Sequence, residues 1–141
     1  MLRADGGAEL RIRVVGRMHP GATDFWDGNW LVSPIDLVVG GFTGRAAAGL
    51  RSEELLRLRE GLEMLYESLE GEATLESMED WLHLTCRGDG RGHVEVLGTL
   101  VDQPGVGNKL TFSLQTDQSF LPELIASLRK VESSYPVMGR P

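Results

Sequence analysis

Short segments of alternating apolar and polar residues, separated by brief turns rich in glycine and proline, limit the fold of this sequence more than any other feature. Leu10, Ile12 and Val14 alternate with arginines, as in a strand with one buried face. Gly40-Gly41 lies between two further segments of this kind, and paired glycines permit a tight hairpin turn. Such links are too short for the crossovers between parallel strands, so the pattern predicts an antiparallel sheet of about six or seven strands. The predicted strands are residues 10–14, 30–39, 42–50, 74–78, 81–86, 92–101 and 110–114.

Two other segments carry apolar residues at spacings of three and four, the period of a helix with one buried face. The first follows Ser52, a residue type that caps helix N-termini, and ends before Gly71, while the second has Pro122 in its first turn. These signals predict helices over about 52–70 and 121–135. Two helices packed on an antiparallel, strongly twisted sheet correspond to the α+β class. A length of 141 residues suits a single domain over residues 1–141.

The net charge of −7 is concentrated in one part of the sequence. Between Glu53 and Asp80 there are ten acidic and two basic residues, and the rest of the chain sums to +1. This balance argues against a nucleic-acid partner, because proteins bind phosphates with lysine and arginine. No apolar run reaches the roughly 18 to 20 residues that span a bilayer, so no membrane segment is predicted. Residues 1–10 carry charges where a signal peptide is apolar, and we therefore expect a cytoplasmic protein.

Catalytic and metal-binding side chains are not spaced for chemistry. His83 and Cys86 are three residues apart in a predicted strand, which places them on opposite faces, so we expect no metal site and no cofactor. Cys86 alternates with Leu82 and Leu84 on the predicted apolar face, where a thiol is buried and inert. No nucleophile or acid–base pair has the spacing of an active site, and we expect a protein that is not an enzyme.

The segment from Asp24 to Leu31 is unusual because Trp26 and Trp30 flank a polar turn that includes Asp27. One interpretation is that the rings close an end of the core while the polar side chains hold the loop. The other is that Trp26 is an exposed anchor for a partner, since aromatic residues dominate binding hot spots.

The order of residues 11–15, the segment from Asp24 to Leu31, the acidic helix and residues 112–121 resembles the WapI-like immunity protein family. The most distinctive piece is the run Trp-Asp-Gly-Asn-Trp-Leu at residues 26–31. The resemblance implies a cytoplasmic bacterial protein that binds and neutralises the C-terminal domain of a contact-dependent toxin, often a nuclease. It implies no catalytic residues, and it does not specify which surface meets the toxin.

The charge pattern favours a basic protein partner. Four glutamates at spacings of three, four and three predict an acidic stripe on the exposed face of the first helix. Nuclease active sites are positively charged, so such a stripe would steer and orient the toxin domain. The predicted partner-binding residues are Glu60, Glu63, Glu67, Glu70, Trp26 and Asp27.

A small-molecule or carbohydrate-binding module is the alternative function, with Trp26, Trp30 and Trp81 stacking on the ligand in a concave pocket. An immunity protein needs a broad acidic surface instead. The sequence leaves the oligomeric state open between monomer and homodimer.

Overall fold

The computed structural model describes residues 2–141 and shows two successive units of the same plan, each an antiparallel sheet followed by a helix. The first unit contains β1 (Leu2–Arg3), β2 (Glu9–Ile12), β3 (Gly16–Arg17), a short helix α1 (Phe25–Gly28), β4 (Trp30–Val39), β5 (Phe42–Arg51) and α2 (Ser52–Ser68). The second unit contains β6 (Glu70–Glu76), β7 (Leu82–Asp89), β8 (His93–Val101), β9 (Lys109–Asp117) and α3 (Leu121–Ser134). The predicted α+β class is confirmed. Over the described residues, however, there are nine strands in two sheets and a third, four-residue helix.

In the first sheet, β4 is central, with β5 on one side and β2 and β3 end to end on the other. A bulge separates β2 from β3. Val15 donates its backbone N–H to the Val32 carbonyl at 2.9 Å, and Gly16 is also registered opposite Val32. Because a bulge bends its strand without ending the pairing, β2 and β3 serve as one bent strand. The first sheet therefore has the same meander as the second, whose order is β6-β7-β8-β9.

Both predicted long helices are present, and α2 begins at the predicted residue 52 but has a different capping residue and an earlier end. Arg51 is the N-cap of α2, and Ser52, the predicted cap, is its first helical residue. Leu69 adopts a left-handed conformation with φ of 62°, which ends α2 before the predicted residue 70, and Gly71 lies within β6. None of the helices in the described part of the chain is long and apolar enough to cross a membrane.

A single hydrophobic core lies between the sheets and the two long helices. Leu31, Ile35 and Leu37 point into it from β4, whereas the alternate residues of that strand face outward. α2 packs so closely on β6 that a Cβ atom at Gly61 would lie 2.9 Å from Ala73 Cβ. The glycine, which weakens a helix by itself, is thus required by the packing.

Candidate partner-binding surfaces

Arg51, at the junction of β5 and α2, is completely buried. Its guanidinium donates to the carbonyl oxygens of Trp26 and Phe25, at 2.8 and 2.6 Å, and to the Glu53 carboxylate. Its backbone N–H donates to Glu54 Oε1 at 2.8 Å. A buried charge is tolerated only with partners of this kind, so Arg51 is part of the interior of the fold.

Three aromatic rings surround the Arg51 guanidinium. Its central carbon lies 4.7 Å from the ring centroid of Trp30, 5.1 Å from that of Phe25 and 5.9 Å from that of Trp26. Phe25 and Trp26 are perpendicular to each other, with centroids 5.0 Å apart. Rings at these distances attract a cation by about 0.5 to 2 kcal/mol each. The Trp26–Trp30 segment therefore wraps around Arg51, which joins it to the start of α2.

Asn29 ties the same segment to the C-terminal residues of the chain. It is fully buried, and its amide nitrogen donates to the carbonyls of Phe25 and Met138, both at 2.9 Å. The backbone N–H of Met138 donates back to Asn29 Oδ1 at 2.8 Å. Arg17 adds hydrogen bonds to the carbonyls of Gly28, at 2.6 Å, and Pro136, at 2.8 Å. Asn29 therefore has a structural role in this segment.

Trp26 combines a fixed backbone with an exposed ring. Its carbonyl is held by Arg51, yet the residue is 55% exposed. Asp27 is also exposed, and its backbone N–H donates to the Asp24 side chain that caps α1. Trp30, in contrast, is half-buried against Arg51. The two interpretations of the segment thus concern different residues: Trp30 packs against the buried Arg51, and Trp26 is the more exposed of the two tryptophans.

Trp81, the third tryptophan of the carbohydrate alternative, lies in the connection before β7. The rings of Trp26 and Trp30 are directed at Arg51, within 6 Å of its guanidinium carbon. This arrangement does not support the alternative function, in which the three tryptophans stack on one ligand.

Glu54 joins the two units of the fold. Its Oε1 accepts the Arg51 N–H, and its Oε2 accepts the backbone N–H of Met78, in the β6–β7 turn, at 2.7 Å. Burial raises the pKa of Glu54 to about 7, although the hydrogen bonds from Arg51 and Met78 act to lower it. Glu53 and Glu54 are both buried, so two acids of the acidic segment belong to the interior.

The four glutamates of the predicted acidic stripe occupy three different environments. Glu60 and Glu67 are exposed on α2. Glu63 is partly buried between Arg59, 3.0 Å away in the same helix, and Arg129 of α3. Glu70 is exposed but lies at the start of β6. The stripe was predicted as a continuous helical feature, which is wrong because Leu69 ends the helix and Glu63 faces α3.

Ion pairs join α2 to α3 beneath this surface. Arg59 donates to Glu132 at 2.7 Å, and this hydrogen bond raises the pKa of Arg59 above its ordinary value. A cleft of about 390 Å³ lies beside these pairs. Its lining residues are Glu63, Tyr66, Glu67, Pro122, Ile125, Ala126 and Arg129. It is therefore an acidic and aromatic groove with one arginine on its wall.

The side chains considered for metal binding and nucleophilic chemistry are separated. His83 contacts Asp80 at 3.1 Å at the surface, whereas Cys86 is 2% exposed and faces the core. Burial raises the pKa of the Cys86 thiol to about 12. Within residues 2–141, no group of three or more His, Cys, Asp or Glu side chains is placed to hold a metal ion.

Arg51, Asn29 and Glu54 were not predicted from the sequence. The available signal was local: an arginine followed directly by Ser-Glu-Glu at a strand–helix junction, and an asparagine between two tryptophans. Neither pattern specifies burial, because the partners of Arg51 lie 25 and 26 residues away.

A model of the immunity protein WapI-like family matches residues 1–136. No curated protein matches the chain. Among solved structures, the chain is similar to Trypanosoma bruciei MRP1/MRP2, with 13% sequence identity and a TM-score of 0.51. That similarity covers 93% of this chain and 77% of the other, and at so low an identity it shows a shared fold alone. Because the family model spans nearly the whole sequence, the chain belongs to the immunity protein WapI-like family.

Proposed function

We propose that this chain is a cytoplasmic bacterial immunity protein that neutralises a cognate toxin domain by binding directly to it. The family match over residues 1–136 is the observation that carries this proposal. Neutralisation by binding needs no chemical step on the immunity protein. It needs an exposed surface that covers the toxin and a fold that holds this surface in place.

The exposed acids around α2 supply attraction to a basic toxin. Glu60 and Glu67 lie on either side of Met64, which is 71% exposed, and Glu70 follows directly after the helix. A nuclease holds phosphate in a positively charged site, so an acidic face accelerates and orients the encounter. Glu63 adds a further negative charge on the wall of the α2–α3 groove, where it forms ion pairs with Arg59 and Arg129.

We expect Trp26 to stabilise the bound complex, whereas the acidic residues accelerate the encounter. An exposed indole on a fixed backbone loses little freedom on binding, and tryptophan is among the residues most enriched in interface hot spots. Asp27, its exposed neighbour, adds a carboxylate at the same position on the surface.

The proposal is tested by producing this chain together with the toxin domain encoded next to its gene. We expect the chain to restore growth of cells that make the toxin domain, and to copurify with it in a fixed stoichiometry. Continued toxicity despite abundant folded chain, together with no complex between the purified proteins, would overturn the proposed function.

The acidic face is tested by measuring association rates of the double variant E60Q/E67Q. We expect association to slow by about threefold or more at low salt, and its salt dependence to flatten between roughly 50 and 500 mM. The matched control is E76Q/E79Q, which removes the same charge from exposed glutamates outside α2. Equal rates for the two double variants would show that the position of the α2 charges is unimportant.

Trp26 is tested by W26A, which leaves the carbonyl that Arg51 binds in place. We expect about 30-fold weaker affinity, corresponding to a hot spot of about 2 kcal/mol, mainly through faster dissociation. V106A is the control, because Val106 is an exposed apolar residue in the β8–β9 turn. An unchanged dissociation rate in W26A would remove Trp26 from the interface.

A further inference from the structure

The outer face of the first sheet carries exposed apolar side chains. Val15 is 65% exposed, Val38 45%, Met18 40% and Val32 39%. α2 and α3 lie on the opposite, inner face, where Leu10, Ile12 and Val14 line an apolar cavity together with residues of both helices. Exposed apolar side chains on a sheet face that neither long helix covers are typical of a surface that binds another protein.

The charges on this face differ from those of the rest of the chain. Arg11, Arg13 and Arg45 surround Asp36 and Glu9, a net charge of +1, which leaves −8 for the remainder of the sequence. The nitrogen–oxygen distances are 3.1 Å for Arg45–Asp36, 3.6 Å for Arg11–Glu9 and 3.8 Å for Arg13–Asp36. Exposed pairs of this kind contribute little to stability, so their members can change partners at small cost.

The pairing of β2 with β4 makes the face complementary to itself. Arg11 is registered opposite Asp36, and Val15 bonds through its backbone to Val32. A two-fold axis parallel to these strands and midway between them exchanges the members of each pair. It sets Arg11 against the partner's Asp36, and Val15 against the partner's Val32. Sheets stacked face to face lie about 10 Å apart, a distance that such side chains span.

We propose that this outer face binds a second copy of the chain and forms a two-fold symmetric dimer. Charge indicates that a second copy binds at this face. A copy of net charge −7 is repelled by the acidic α2 surface, whereas at the outer face each arginine or aspartate can pair with an opposite charge of the other copy. The proposal goes beyond toxin binding and does not depend on it. The dimer leaves Glu60 and Glu67 of both copies free.

The test is a charge exchange measured by sedimentation equilibrium of the full chain. The wild type should have about twice the 15.5 kDa mass of one chain at high concentration and dissociate on dilution. R11D alone and D36R alone should each remain at 15.5 kDa, because each places like charges across the axis. An equimolar mixture should dimerise again, since two acids of one copy then face two arginines of the other. A monomeric wild type, dimeric single variants or a monomeric mixture of folded variants would each overturn the proposal.

A second measurement does not require a change of charge. With oxidised glutathione as the two-electron oxidant, a mixture of V15C and V32C copies should form an intermolecular disulfide at least several-fold faster than either variant alone, because the axis places residue 15 of one copy against residue 32 of the other. Equal rates in the mixture and in the separate variants would contradict this arrangement. Thermal unfolding of every variant shows that the fold is kept. Toxin binding, measured separately, distinguishes failure of the dimer from failure of the proposed function.

Discussion

Replacement of Arg51 by methionine removes a buried charge while keeping most of the apolar volume of the side chain. In R51M the carbonyls of Phe25 and Trp26 lose their donors, and the Glu53 carboxylate loses its cation. Glu53 is 7% exposed, so water does not replace the lost partner. The variant is therefore destabilised through three groups at once.

The expected loss follows from these contacts. Removing one partner of a buried ion pair costs about 3 to 5 kcal/mol, because the other charge is left uncompensated. For a chain of this length, 1 kcal/mol shifts the midpoint of thermal unfolding by about 3 to 4 °C, so we expect a decrease of about 10 to 20 °C. Urea unfolding followed by tryptophan fluorescence measures the free energy directly, since Trp26 and Trp30 contact the mutated site.

R57M is the matched control, because Arg57 is an exposed arginine of α2, and we expect a change within about 0.5 kcal/mol. The double variant R51M/E53Q should recover part of the loss, since no unpaired carboxylate remains. A loss below about 1 kcal/mol in R51M, or additive effects of R51M and E53Q, would refute the role assigned to the buried pair.

Three further predictions concern groups inside the fold. The pKa of Glu54 is raised from its ordinary value of 4.5 to about 7, so the folded state favours the protonated form. Its contribution to stability is therefore greatest below about pH 4.5 and is lost as the pH rises to about 7. Urea unfolding at a series of pH values gives the free energy of unfolding of the wild type and of E54Q. The difference between them should decrease across this pH range by up to about 3 kcal/mol. Cys86 should react with thiol reagents only as fast as the protein opens, which labelling at increasing urea concentrations would reveal; rapid native labelling would contradict its placement in the core. N29A should lose about 1 to 3 kcal/mol by leaving the carbonyls of Phe25 and Met138 unpaired, and deletion of residues 137–141 should make N29A and the wild type more alike in stability.

The periodicity of apolar residues was sufficient to predict the long strands and helices. Strands β4, β5, β8 and β9 and helices α2 and α3 lie within a few residues of the predicted ranges, because each buries one face and the alternation records it. The very short elements β1, β3 and α1 do not have enough residues to show a period. The division into two sheets was also missed, since alternation shows which residues are buried but not which sheet a strand joins.

The predicted binding residues show a second limit of sequence reasoning. Spacing along a helix placed Glu60, Glu63 and Glu67 on one side of α2 correctly, but it contains no information about α3, whose Arg129 draws Glu63 into the interhelical contact. Glu70 was assigned to the helix because Gly71 was taken as the residue that ends it, whereas Leu69, two residues earlier, adopts the left-handed conformation and ends α2. The binding role of these residues remains a prediction.

The run of residues 26–31, the most distinctive piece of the resemblance, combines buried and exposed side chains. In the run from Trp26 to Leu31, Asn29 and Leu31 are fully buried, and Trp30 lies against the buried Arg51. These contacts stabilise the fold of this chain. Under the proposed function, recognition would depend on side chains that the fold leaves exposed, and within this run Trp26 combines a large apolar ring with a fixed backbone. Under the proposed function, specificity for a particular toxin would change through Trp26 and the α2 surface without any change in the buried contacts of Arg51 and Asn29.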